Sequence, residues 1–150
     1  MLNLSTANKS LKLLVTTLLC MVGLIYLTLL AHIFIDTEMK PSIIAQGYGG
    51  MEYIELTDHA HNYLPYYTIF IFMLPVILFM FTSFSENLKR FFAVFPFIII
   101  IIDIASMFLI PYVWSGFAYV LWIAGTILGL TFTTLFILIN YDIWFNKNEG

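Results

Sequence analysis

The chain has 150 residues, 61% of them hydrophobic and only 10% charged, with a net charge of −3 and a mean hydropathy of +0.95. So little charge on so apolar a chain excludes a soluble globular domain, and the acidic balance leaves no basic patch for nucleic acid. A single cysteine, Cys20, excludes an intramolecular disulfide.

A membrane-crossing helix needs roughly 20 apolar residues, and four stretches meet that need: residues 13–34, 63–84, 91–110 and 117–139. They predict an all-α membrane protein, an antiparallel four-transmembrane-helix bundle forming a single domain over residues 1–150. The first stretch follows Lys9 and Lys12 as a secretory signal would. It exceeds the roughly 7–15 residues of a signal core and lacks a small-x-small cleavage site, so it reads as a retained span, with Cys20 a buried, inert thiol inside it. Lys9, Lys12, Lys89, Arg90 and Lys147 flank one end of the spans and only Lys40 the other. The positive-inside rule therefore puts both termini in the cytoplasm of a bacterial inner membrane and the 35–62 loop outside. Tyr112, Trp114, Tyr141 and Trp144 fall near span ends, where amphipathic rings meet lipid headgroups.

The outer loop carries Asp36, Glu38, Glu52, Glu55 and Asp58 against Lys40. Its 41–51 portion, PSIIAQGYGGM, reads as turn-rich by its proline and glycines. Gly47-Tyr48-Gly49 shares letters with a potassium-channel filter, but residues 42–46 are too few for a pore helix, and Ala45-Gln46 stand where Thr-Val would lead in. The loop ends in TDHAHN. His32 lies near the outer end of the first span, and His59 and His61 lie at the outer start of the second, so all three histidines gather on one face of the membrane. In a helix, residues two apart point about 200° away from each other, whereas in an extended segment they point the same way. Asn62 caps a helix beginning after it, which keeps Pro65 in the first turn where proline is tolerated. That start leaves residues 59–61 adaptable.

Pro75 and Pro96 lie inside the second and third spans and are expected to kink them. The third also contains Asp103, in FIIIIIDIASMF. A charged Asp at a helix centre costs roughly 2.5–3.5 kcal/mol on insertion scales, so it is expected to face the bundle interior and either find partners there or take up a proton. Thr28, Thr68 and Thr126 lie at similar depth on the other spans, and Ser106 is one turn outward on the same helix. Together they form a candidate buried polar core for structural hydrogen bonding or proton handling. In the fourth span, Gly125 and Gly129 make a GxxxG pair, which packs either within the bundle or against a second copy or a partner subunit.

The first span ending near a histidine, the Gly49-Gly50 loop and the Asp58-His59-Ala60-His61 opening of the second span resemble a small uncharacterised four-span bacterial inner-membrane protein family. The resemblance runs over residues 11–141, its distinctive motif is His-x-His, and it implies a membrane bundle but no activity. Three readings follow from the residues. In the first, His32 and His61 are axial ligands to haem b in respiratory electron transfer; the absence of Cys-x-x-Cys-His excludes c-type attachment by that motif. In the second, His32, His59 and His61, with Asp58 and Glu55 nearby, bind copper or zinc. In the third, the chain is a non-catalytic accessory subunit of a larger membrane complex, docking through Gly125 and Gly129. None of the three requires catalysis by this chain alone.

Overall fold

The computed structural model describes residues 3–146. Lys147, one of the basic residues counted above, lies outside them. Four long helices run in chain order: α1 (Lys9–Thr37), α3 (Tyr53–Met80), α4 (Glu86–Tyr112) and α5 (Phe117–Trp144), with mean hydropathies of 2.4, 1.9, 2.6 and 2.0 over their most apolar windows. A short helix, α2 (Pro41–Gly49), joins α1 to α3. The bundle buries only 28 to 39% of each window. Leu13, Leu24, Leu27, Ile101 and Leu130 are among the apolar side chains left on the outer surface, as expected of helices in contact with a lipid bilayer. Cys20 is also exposed, on α1. The expectation of a buried thiol fails because an all-apolar helix gives no sign of which side faces inward.

Helix ends are set by local chemistry. Asn8 caps α1, its Oδ1 accepting the Leu11 N–H at 2.8 Å. α1 ends on two successive left-handed residues, Glu38 at φ 48° and Met39 at φ 54°, which turn the chain back. Pro41 then opens α2 from the first helical position, where its missing N–H costs nothing. The expectation of a turn-rich loop over 41–51 is thereby corrected. α3 starts at Tyr53 rather than after Asn62, because the Glu52 N–H donates to Glu55 Oε2 at 2.9 Å in a capping box. Pro65 consequently falls in the helix interior. It and Pro75 bracket a π-helical stretch, Tyr66–Met73, a widened turn that absorbs the donors the two prolines withhold. Pro96 sits within α4, which continues as one helix past it.

The core runs along the bundle axis through Leu19, Ile71, Phe72, Phe79, Ile100, Leu128, Leu135 and Ile139, all at 0% exposure. Aromatic rings fill its middle, Tyr26 lying 4.8 Å from Phe132 and Phe72 meeting Phe132 edge-on at 6.4 Å. α2 lies across the opposite end of the bundle from the termini. There Ile44 packs with Leu56, Met107, Ile110, Ala118 and Leu121 as a second small core.

The terminal end is closed by polar bonds the sequence did not flag. Asp142, fully buried, accepts the Ser83 N–H at 3.1 Å, the Ser83 hydroxyl, and the Asn146 amide at 3.0 Å, fastening the α3–α4 turn to the end of α5. Trp144 Nε1 donates to Thr16 Oγ1 at 2.9 Å, and the Leu4 N–H donates to the Phe81 carbonyl at 2.9 Å, so α1 and the N-terminal segment are tied to the same end. Replacing Asp142 leaves buried donors unpaired, at a cost of about 1–3 kcal/mol. Asp142→Ala is expected to lower the melting temperature of the detergent-purified protein clearly, while Asp142→Asn, which keeps one acceptor oxygen, should lower it less; equal melting of all three forms would show that these bonds contribute nothing.

Candidate functional site

A chamber of about 490 Å³ opens inside the bundle beneath α2. Its walls follow from helical spacing. On α3, His59, Tyr63 and Tyr67 recur every four residues and share one face. This register exists because α3 is already helical at Tyr53. With Tyr48 of α2 they form a chain of rings, the Tyr48–His59, His59–Tyr63 and Tyr63–Tyr67 centroids lying 6.0, 6.1 and 6.2 Å apart. α1 contributes Tyr26, Leu30 and Ile33, and α5 contributes Leu121, Trp122 and Gly125. Burial pushes the Tyr48 hydroxyl above its ordinary range, with Tyr63, Asp103 and Asp36 adding to the effect, so Tyr48 stays a neutral hydroxyl.

Asp103 of α4 lines the chamber at 3% exposure. The inward placement expected for it is observed, but the expected partners are not. Ser106 donates to the Ile102 carbonyl, Thr28 to Ile25, Thr68 to Leu64 and Thr126 to Trp122, at 2.7, 2.7, 2.7 and 2.8 Å. Each hydroxyl thus bonds its own helix, an option always within reach in an apolar medium. The buried polar core predicted from depth does not assemble, and none of the hydrogen bonds among the described residues reaches the Asp103 carboxyl.

The glycines of α5 also have an internal use. A Cβ on Gly125 would lie 4.0 Å from Asp103 Oδ1, and one on Gly129 would lie 2.9 Å from the Tyr26 hydroxyl oxygen. The GxxxG pair faces into this bundle, making room for the carboxyl and for Tyr26. Of the two alternatives the sequence left open, the pair takes packing within the bundle, Gly129 lying against Tyr26 and Gly125 facing the chamber.

The histidines do not converge as the sequence suggested. His32 is exposed and pairs through Nε2 with Asp36 Oδ2 at 3.2 Å on its own helix. His59 is partly buried and its Nδ1 lies 2.9 Å from the Glu55 carbonyl. Because residues 59–61 are helical, His61 projects from the other side of α3 and is exposed. Asp58 is exposed, and Glu55 is engaged in capping α3. Among the described residues no group of three or more His, Cys, Asp or Glu side chains is placed to hold a metal ion. What does come together is His32 with His59, which line a groove of about 410 Å³ along with Thr28, Asn62 and Tyr66.

Sequence reasoning missed Tyr26, Tyr48, Tyr63, Tyr67 and Trp122 as chamber walls. For Tyr63 and Tyr67 the signal was their spacing from His59. For Tyr26, Tyr48 and Trp122, in a chain with 18% aromatic residues, no local signal separates wall from lipid face.

A family model described as a transmembrane helical domain, Aq_1264_TM, matches residues 49–150. The chain belongs to this family, which agrees with the expectation of a family of small membrane proteins. The matched portion takes in α3, α4 and α5, hence His59, Asp103 and Gly125, and begins beyond Tyr26 and Tyr48. No curated protein and no solved structure gives a significant match.

The close approach of Gly129 to Tyr26 is testable by paired substitution. Gly129→Ala is expected to cost about 1–3 kcal/mol by overpacking, read as a lower melting temperature. Adding Tyr26→Phe should restore most of the loss, since the next Tyr26 atom, Cζ, is 4.0 Å away. No recovery in the double variant would mean that the hydroxyl is not what the glycine accommodates.

Proposed function

We propose that this multi-pass membrane protein binds a small amphiphilic molecule, taken into the chamber from the α2 end with its polar group beside Asp103. One observation carries the reading: the Asp103 residue is almost wholly buried, its carboxyl has no hydrogen-bond partner among the described residues, and it borders an open space. Its oxygens open onto the chamber rather than being sealed in packing, since among the described residues no fully buried side-chain polar atom lacks a partner, and an ionisable group kept inside a membrane bundle is by default a functional-site candidate. The chamber volume, mostly apolar walls and few polar groups suit a small-molecule site. α2, set off from α1 by the left-handed Glu38-Met39 pair, lies over the space and lines it with Ile43, Ile44, Gln46, Gly47 and Tyr48. The basic residues at the terminal end favour a bacterial inner-membrane protein with both termini cytoplasmic, so that the chamber opens outward.

A second reading rests on His32 and His59. Two imidazoles from two helices beside one groove are the donor set of bis-histidine haem b or part of a copper or zinc site, and haem would bring respiratory electron transfer with it. The bond from His59 Nδ1 to the Glu55 carbonyl leaves Nε2 as the ligating atom. Purified protein would then show a Soret band or stoichiometric metal that His59→Ala removes; a colourless, metal-free protein removes this reading and leaves the first intact.

For the first reading, cysteine labelling tests access. In a Cys20→Ser background, Met107→Cys on the chamber wall should react with a small maleimide about ten-fold faster than Leu128→Cys in the closed core. Equal, slow labelling at both positions would mean that the chamber cannot be entered.

A further inference from the structure

We infer that the molecule this chamber takes is a lipophilic cation, held by the Asp103 carboxylate and the surrounding aromatic rings. The inference rests on the binding reading above and adds the ligand's charge.

The charged and aromatic groups of the chamber carry the argument. Among the described residues its only carboxylates are Asp36 near the mouth and Asp103 within, and no lysine or arginine lines it. Lys40, the only basic residue in the 35–62 segment, is bonded to Glu38 at 2.5 Å and lies outside the chamber wall. Asp36 is paired with His32 on its own helix, and the one imidazole on the wall, His59, is bonded through Nδ1 to the Glu55 carbonyl, so an entering anion would meet the Asp103 carboxylate with no lysine or arginine beside it. A neutral apolar molecule would cover Asp103 and remove what solvation it has, leaving the group unpaired in a low-dielectric site. A cation supplies what the protein withholds, since a buried carboxylate is tolerated when it is paired.

The wall chemistry agrees independently. Tyr26, Tyr48, Tyr63, Tyr67 and Trp122 present rings from four different helices, and an aromatic face attracts a cation through its quadrupole most strongly where water is absent. Rings gathered around one carboxyl make the kind of cage that holds a quaternary or bulky organic cation, whose diffuse charge is cheaply desolvated. A small hydrated metal ion is less suited, because among the described residues only two carboxylates and no cluster of three ligating side chains face the space. Gly125 completes the geometry: with no side chain there, the approach to Asp103 Oδ1 stays open.

Tetraphenylphosphonium and tetraphenylborate have nearly the same shape and opposite charge, so their binding to the full-length protein in a non-ionic detergent isolates the charge preference. Equilibrium dialysis should give saturable binding of the phosphonium at least about ten-fold tighter than of the borate. Asp103→Asn should remove most of that difference, and Gly125→Leu, which blocks the space before Asp103, should weaken phosphonium binding by a similar factor. Tighter borate binding, or no discrimination by the wild-type protein, overturns the cation assignment without recourse to any variant. If discrimination is lost while Met107→Cys still labels rapidly, only the ligand's charge has been misjudged; if Met107→Cys is inert, the chamber reading itself has failed.

Discussion

A carboxyl group inside an apolar bundle must be given space, and much of the architecture at the α2 end follows from how that space is provided for Asp103. Gly125 withholds a side chain opposite it, and the hydroxyls at similar depth turn back to their own helices. The tyrosines border the same space without bonding the carboxyl. The group is neither neutralised by a base nor absorbed into a hydrogen-bonded network, which would be the inexpensive arrangements for a structural residue. Space of about 490 Å³ is kept beside it instead. The packing around Asp103 and the opening beside it are two aspects of one arrangement.

The second determinant is the register of α3. Once the Glu52–Glu55 capping box starts the helix at Tyr53, His59, Tyr63 and Tyr67 must share a face and His61 must leave it. This start also places Pro65 inside a helix, which in water would argue strongly against it. In a membrane, breaking the helix would expose backbone groups to hydrocarbon, so the chain widens into a π-helical stretch between Pro65 and Pro75 instead. The preference for a start after Asn62 weighed the proline as a soluble protein would. That one choice separates the histidine cluster inferred from sequence from the His59-to-Tyr67 ladder that forms.

The polar residues teach a related lesson about depth and direction. Thr28, Thr68, Ser106 and Thr126 do lie at depths comparable with Asp103, but a hydroxyl on a membrane helix has a carbonyl of its own helix within reach and needs nothing from its neighbours. A carboxylate has no such option, because it only accepts. Asp142 reaches the opposite outcome at the terminal end, where the Ser83 N–H, the Ser83 hydroxyl and the Asn146 amide converge on it. Two buried aspartates in one bundle thus have contrasting surroundings, one bonded on several sides and one beside open space.

By itself, the amino-acid sequence determined that the chain crosses a membrane as four antiparallel helices, because the length of an apolar run and the need to satisfy every backbone group in lipid leave no alternative. It determined too that Asp103 must face inward, since the cost of exposing a carboxyl to lipid is large. Which faces of the helices meet was decided only by the tertiary structure. The spans are apolar nearly all round, so no periodic contrast marks the side of α1 that carries Tyr26 from the side that carries Cys20, or reserves Gly129 for Tyr26 rather than for a second chain. Those choices arise from the fit of side chains between helices, a property of the packed bundle that no single helix contains.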